Sequence, residues 1–364
     1  MNRKKTITLT IIITLFLVTI IAVMFLITGE KPKDKLIVGV VLTGDATDIG
    51  WNGTHYSGVK NACDTLEVEL LAKENVPEEK VTCEKAIEEL VEEGAGVIIL
   101  SSYGYPAQIE DIFVKYPDVA FYGISSEASV DNFTVYFGRM YQARYLSGII
   151  AAHMSECGNI GYVAAMPNNE VNRGINAFTL GVRSVNPEAT VTVMWSGSWD
   201  DEEVEKACAN TLMDMGVDVL TYHQNQSYVT EAAEVRGVYS IGYNEYVSDF
   251  SENYLTAAVW NWDKLYTKII REKLLNGDIS TNRLWYGIEE EVVRLATYSP
   301  LIPDEVKQSV EAAKKGLLES NDVFSGRIVD TEGIVRCEEG EIISDNALMN
   351  EFDWYVEGVI LYEQ

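Results

Sequence analysis

Histidine, cysteine and basic residues are scarce in this sequence, and each scarcity argues against a class of protein. The three histidines (His55, His153 and His223) have no metal-ligand spacing with one another, and neither a G-x-S-x-G elbow nor a P-loop is present. Lysine and arginine number 28 against 56 aspartates and glutamates, a formal net charge of −28. Such a field repels phosphates, so we expect no nucleic-acid partner. We also expect no catalytic residue, no metal and no cofactor.

Cysteine is limited to five residues, an odd number, so at least one thiol cannot pair within the chain. Their wide spacing excludes a C-x-x-C metal or redox motif. An oxidising compartment permits a disulfide, and the sequence does not choose a pairing. Buried free thiols are our expectation. The positions are Cys63, Cys83, Cys157, Cys208 and Cys337.

Charge is absent from residues 7–28, an apolar stretch of 22 residues that follows a basic start. As a helix it is long enough to cross a bilayer. No A-x-A cleavage pattern and no lipid-accepting cysteine follow it. We therefore predict a cytoplasmic tail (1–6), a transmembrane signal anchor (7–28), a linker (29–35) and an extracellular remainder on a single-pass cell-membrane protein. A cleaved signal peptide is the alternative.

Strand and helix patterns alternate through the remaining chain. The run from Leu36 to Leu42 is continuously apolar and rich in β-branched residues, as in a strand buried on both faces of a parallel sheet. The alternation continues to about residue 137 and restarts near residue 160, which predicts two α/β lobes with doubly wound parallel sheets. Lobe 1 is predicted to span 36–152 plus about 255–280, lobe 2 to span 153–254 plus about 281–330, and a tail, 331–364, to pack on the lobes.

Aromatic and short polar side chains follow the predicted strands. Ligands of open α/β sheets bind beyond the carboxyl ends of the strands, and aromatic faces with polar neighbours suit a flat heterocycle or a sugar. The alternative is that Asp48 caps a helix, that Trp51 is a packed core residue, and that loop aromatics join the lobes. The candidate ligand-binding residues are Asp48, Trp51, Asn52, Tyr103 and Tyr105 in lobe 1, Glu170, Trp199, His223 and Asn225 in lobe 2, and Tyr243 and Trp260 near the junction.

Several longer segments resemble one family over residues 36–362. They include GDATDIGWNGTHYSG (44–58), GRMYQARYLSGIIAAHM (138–154), NEVNRGINAFTLGVRSVNPEA (169–189) and LTAAVWNWDKLY (255–266). The chain resembles the basic membrane protein family of solute-binding proteins for ABC transporters, which includes purine nucleoside receptors. The resemblance implies a type I periplasmic-binding clamshell with three crossovers, and an ABC permease as partner.

The same resemblance implies roles for individual residues. Trp51 falls where the family stacks an aromatic on a purine, with Asp48 and Asn52 beside it. Glu170, Trp199, His223 and Asn225 fall on positions that face the base from lobe 2.

The chain departs from nucleoside-binding members at two positions: Trp260 replaces a lysine that reaches the ribose, and Tyr243-Asn244 replaces an aspartate. Without these polar side chains, the hydroxyl groups of a ribose would be buried without hydrogen-bond partners. This favours a free base such as adenine over a nucleoside. A purine-sensing ectodomain or scaffold for a membrane receptor is one alternative, and a nucleoside or glycoside hydrolase is another.

Overall fold

A computed structural model of the chain describes residues 35–105, 109–124, 130–244, 246–276, 283–319 and 322–362. The predicted cytoplasmic tail, the signal anchor and all but the last residue of the linker lie outside these ranges. None of the helices within them is long and apolar enough to cross a membrane.

The described strands and helices follow the alternation predicted from the sequence. The strands are β1 Ile37–Val41, β2 Glu69–Lys73, β3 Val97–Leu100, β4 Ala120–Ile124, β5 Phe133–Gly138, β6 Asn159–Ala164, β7 Thr190–Trp195, β8 Val219–His223, β9 Tyr239–Asn244, β10 Tyr254–Trp260, β11 Leu284–Tyr286, β12 Val293–Leu295, β13 Ile328–Val329, β14 Val335–Cys337 and β15 Val359–Leu361. The helices are α1 Trp51–Leu66, α2 Lys80–Glu92, α3 Glu110–Lys115, α4 Met140–Met154, α5 Asn169–Val185, α6 Glu202–Asp214, α7 Tyr228–Arg236, α8 Trp262–Asn276, α9 Asp304–Leu318 and α10 Asp345–Asn350.

Two sheets form the cores of the two lobes. The first has the order β11-β5-β4-β3-β1-β2, with all neighbouring pairs parallel. The second has the order β12-β10-β9-β8-β6-β7-β15, in which only the β10–β12 pair is antiparallel. The carboxyl-end loops of the parallel strands are where an open α/β sheet binds its ligand. We call the space between the two sets of loops the cleft.

The chain passes between the sheets three times in its described ranges: from β5 to β6 through α4, from β10 to β11 through α8, and from β11 to β12. Helix α8 packs against α1 of the first lobe. Strand β10 pairs with β9 in the second sheet, so the assignment of residues 255–260 to lobe 1 is wrong. An apolar run in the sequence indicates a buried strand, but it does not show which strand will be its neighbour in the sheet.

Helix α4 packs along α5 and therefore belongs to the second lobe rather than the first, where residues 140–152 were placed. Two glycines allow the close approach of the helix backbones. A methyl group at Gly148 would lie 2.1 Å from the carbonyl oxygen of Phe178, and one at Gly181 would lie 2.0 Å from that of Tyr145.

The tail lies on α5 through a row of asparagine carboxamides. Asn169, Asn172 and Asn176 each donate a hydrogen bond of 2.8–3.0 Å to a main-chain carbonyl between residues 349 and 354. The tail ends in β15, which pairs with β7 at the edge of the second sheet. The five cysteines are all free thiols. The expectation of burial is confirmed for four of them and wrong for Cys157, which is exposed.

Candidate functional site

The turn before α1 is shaped by its own polar side chains. The Asp48 carboxylate accepts hydrogen bonds from the backbone N–H of Gly50 (3.0 Å) and Gly53 (2.7 Å), and from the Asn52 amide (2.9 Å). The Asn52 oxygen in turn accepts the Thr43 hydroxyl at 3.0 Å. These contacts come close to the helix-capping alternative for Asp48, because its carboxylate satisfies the N–H of Gly53 in the first turn of α1, although the N-cap position itself is Gly50.

Trp51 opens α1 and is held from both lobes. Its backbone N–H donates to the Asn225 side-chain oxygen at 2.8 Å, and its indole N–H donates to the Ser101 carbonyl, also at 2.8 Å. The ring meets that of Trp260 edge to face, with centroids 6.0 Å apart. The indole is therefore fixed in orientation at the place where the lobes meet.

Asn225 connects the second lobe to the first. Besides accepting from Trp51, its amide donates to Asp200 at 3.1 Å. Its backbone carbonyl accepts from Asn244, whose own side-chain oxygen accepts the Trp260 indole N–H at 3.2 Å. Asn244, the neighbour of Tyr243 in the sequence, has a φ of +70°, which asparagine tolerates better than most residues.

An aromatic column stands behind Trp51. The Trp260 and Trp262 rings stack at 4.4 Å with an interplanar angle of 13°, and Trp262 stacks on His55 at 4.2 Å. His55 is buried, with its Nδ1 atom 2.5 Å from the Tyr266 hydroxyl. Trp260 is thus a packed member of this column, next to the start of α8.

The second lobe brings four predicted residues together at the ends of its strands. His223 ends β8 and is buried. Its ring lies 4.4 Å from that of Tyr243 and 5.9 Å from that of Trp199. Its Nε2 atom is 3.6 Å from a carboxylate oxygen of Glu170, in the first turn of α5. Trp199 is 40% exposed, and its carbonyl accepts the backbone N–H of Asn225 at 2.8 Å.

The Glu170–His223 pair carries one formal charge, on the Glu170 carboxylate. Burial lowers the pKa of His223, and the charges of Arg144 and Arg173 lower it further, against the opposing effect of Glu170. Burial tends to raise the pKa of Glu170, but the contact with His223 and the same two arginines outweigh it, so the pKa is lowered. At neutral pH the pair is a carboxylate beside a neutral imidazole, which can accept and donate hydrogen bonds to a ligand edge.

Two arginines of this region were missed by the sequence reasoning. Arg144 of α4 lies with its guanidinium carbon 4.1 Å from the Tyr243 ring centroid. Arg173 of α5 is buried and donates to the Leu348 carbonyl at 2.6 Å. Arg144 is the one lysine or arginine in the sequence of α4, and a lone charge on an otherwise apolar helix was the pattern that could have identified it.

Two predicted site residues are placed elsewhere. Tyr105 is 1% exposed and packs in the apolar core of the first lobe, where its hydroxyl donates to the Val76 carbonyl at 2.5 Å. Its assignment to the ligand site is therefore corrected to a core role. Tyr103 is 65% exposed and makes no ring contact within the described residues. Position after a strand fixes the edge of the sheet but not the direction of each side chain.

The arrangement suits binding rather than bond-making chemistry. Trp51 of one lobe and Trp199 of the other both lie next to Asn225, and the Glu170–His223 pair supplies hydrogen-bonding groups. Within the described ranges, no group of three or more histidine, cysteine, aspartate or glutamate side chains is arranged to hold a metal ion.

Known proteins similar to this chain share one family model but are named for different ligands. The profile of the Bmp family, described as ABC transporter substrate-binding protein PnrA-like, matches residues 35–323. The chain is 33% identical over 332 residues to a purine-binding protein of Brucella abortus, covering 90% of this chain and 93% of that protein. It is 34% identical over 336 residues to a Haloferax volcanii protein named as an ABC transporter glucose-binding protein, covering 91% and 82%.

The fold is similar to that of a solved Bacillus halodurans protein, described as a transcriptional activator of the comK gene. The TM-score is 0.72 at 26% identity, and the match covers 79% of this chain and 99% of that one.

Proposed function

Because the chain belongs to the Bmp family of PnrA-like ABC transporter substrate-binding proteins, we propose that it binds a purine between its lobes and delivers it to permease subunits. The family binds and hands over a substrate and is not a family of enzymes, so the hydrolase alternative is wrong. Its partners are a small molecule and the permease of an importer.

The observation that carries the proposal is that aromatic rings and hydrogen-bonding side chains from both lobes meet at the cleft. Trp51 and Trp199 come from opposite lobes and both contact Asn225, and Glu170 with His223 offers an acceptor and a donor beside Trp199. A base stacked on an aromatic gains ~1–3 kcal/mol per contact. The purine-binding relative of Brucella abortus supports this choice of ligand.

A free purine base is proposed over a nucleoside because of the surroundings of Trp260. Its indole is buried, stacked on Trp262 and hydrogen-bonded to Asn244. A packed indole replaces the flexible lysine implied by the resemblance, so it does not offer the ribose a charged donor. A buried hydroxyl left without a partner costs ~1–3 kcal/mol.

The site is tested by titrating purine bases, nucleosides and glucose into the full-length protein and following affinity by calorimetry. Trp51→Ala and Trp199→Ala are each expected to weaken binding of a base by ~1–3 kcal/mol. Tyr362→Ala, which removes an exposed aromatic of the tail, is the matched control and should leave the affinity unchanged. Unchanged affinity in both tryptophan variants, or binding of glucose and no purine, would contradict the proposal.

A sensing role is the second candidate, favoured by the likeness to the Bacillus halodurans transcriptional activator. In that role the closed lobes signal to a receptor instead of a permease. Uptake of labelled base by cells with and without the gene separates the two roles, because a sensor leaves the initial uptake rate unchanged.

We also propose that residues 7–28 anchor the protein in the cell membrane with the lobes outside. Protease added to intact cells should then remove the lobes, and protection from digestion would contradict the anchored extracellular arrangement.

A further inference from the structure

A buried cation that forms no ion pair with any described residue lies in the second lobe. Arg144 is 0% exposed, and its Nη1 atom makes one long hydrogen bond, 3.4 Å, to the Thr221 hydroxyl. Its Nε and Nη2 atoms have no hydrogen-bond partner among the described residues. Withdrawing charged donors from water is costly unless partners replace the water. The described part of the chain does not provide those partners.

Two other buried polar atoms near this arginine are also without hydrogen-bond partners in the described ranges: Nδ1 of His223 and the hydroxyl of Tyr162. Both border Gly174, where an added methyl would lie 3.3 Å from the imidazole nitrogen and 3.5 Å from the hydroxyl. The Arg144 guanidinium is 5.6 Å from the Tyr162 ring centroid. The absence of a side chain at Gly174 thus lets both unsatisfied polar atoms lie close to the backbone of α5.

The charges in this region do not balance. Arg144 and Arg173 are both buried cations, and Glu170 is the carboxylate on which both act. Burial and the two arginines keep His223 neutral, so the group carries one excess positive charge. This excess stands inside a chain whose net charge is −28. A ligand that brings negative charge or oxygen acceptors would complete the group.

We propose that Arg144 is a specificity-determining residue that makes the cleft prefer an oxopurine, a purine with ring carbonyls and an acidic ring N–H, over a 6-aminopurine of the same size. The inference rests on the proposed function and narrows its ligand class away from adenine. Arg144 acts on the ligand through its positive charge and through its contact with Tyr243, whose ring lies against that of His223. Carbonyl oxygens and an ionised ring nitrogen are the acceptors that this electropositive region lacks.

The test compares xanthine, uric acid and adenine by calorimetry on the full-length protein. The wild type is expected to bind at least one of the two oxopurines about tenfold more tightly than adenine. Arg144→Met should abolish that ratio while retaining adenine binding, which also shows that the variant is folded. Arg144→Lys keeps the charge and should retain most of the preference.

A second measurement does not depend on any variant. Since xanthine loses a ring proton near neutral pH and adenine does not, wild-type affinity for xanthine should rise relative to adenine between pH ~6 and ~8. Equal or tighter binding of adenine, or a ratio that Arg144→Met leaves unchanged, overturns the inference and leaves the proposed function standing. Failure to bind any purine overturns the proposed function itself.

Discussion

Replacing Glu205 with glutamine is expected to stabilise the protein at alkaline pH and to have little effect near pH ~5. Glu205 is 0% exposed in α6; one carboxylate oxygen accepts the Asp201 backbone N–H at 3.0 Å, and the other has no partner among the described residues. Burial raises the pKa of Glu205 to about 7, the hydrogen bond from Asp201 opposes this, and the charges of Asp200 and Asp201 add to it.

The sign and size follow from proton linkage. As pH rises above the ordinary value of 4.5, the unfolded chain loses this proton while the folded chain retains it up to about 7. The free energy of unfolding therefore falls through that window and is constant above it. At 1.36 kcal/mol per pKa unit, the loss is about 3 kcal/mol. Glutamine is neutral and keeps the bond from Asp201, so the variant avoids this loss.

Urea unfolding of the wild type and Glu205→Gln at pH ~5 and ~8 measures the effect. The variant should gain about 3 kcal/mol over the wild type at the higher pH and less than 1 kcal/mol at the lower. Glu203→Gln, an exposed position on the same helix, is the control and should show no pH-dependent difference. The two buried histidines titrate in all three proteins, so their contributions cancel. Parallel pH profiles for wild type and Glu205→Gln would refute the reasoning.

Two glycines give further predictions. A methyl group at Gly50 would lie 2.4 Å from the Asn225 carbonyl oxygen of the other lobe. Gly50→Ala should therefore hinder closure of the lobes and weaken ligand affinity about tenfold or more. The midpoint of urea unfolding should change little. Gly316→Ala is the control: no atom lies within 4 Å of a methyl group added there, so ligand affinity should not change. Equal affinities of the two variants and the wild type would argue against closure at Gly50. Gly181→Ala places a methyl 2.0 Å from the Tyr145 carbonyl oxygen and should lower the free energy of unfolding by ~1–3 kcal/mol. An unchanged urea midpoint would contradict the close packing of α4 on α5.

The order of strands and helices could be predicted from the sequence because each long element carries its own local pattern. Helix α5 carries such a pattern, since Asn168 caps it and its apolar positions repeat at helical spacing. Strands β11 and β12 were not predicted. Each has three residues and is stabilised by pairing with a distant strand, β5 or β10. Such pairing leaves no local pattern.

The candidate site was predictable to the extent that strand ends define it. Position after a strand located Trp51, Trp199 and His223, which the structure places beside the contacts between the lobes or at the ends of the second sheet. The same rule failed for Tyr105, whose side chain turns back into the core. It also missed Arg144, because a side chain that reaches the strand ends from a helix beneath the sheet follows no strand-end pattern.

The asparagine row on α5 has a consequence for how the tail evolves. Asn169, Asn172 and Asn176 bind carbonyl groups of the tail, and every amino acid has such a group. Many substitutions in the tail therefore leave this attachment intact, whereas replacement of an asparagine removes part of it. The match to the family profile ends at residue 323, close to where the tail begins. Attachment through the main chain allows this segment to diverge in sequence while keeping its place on the second lobe.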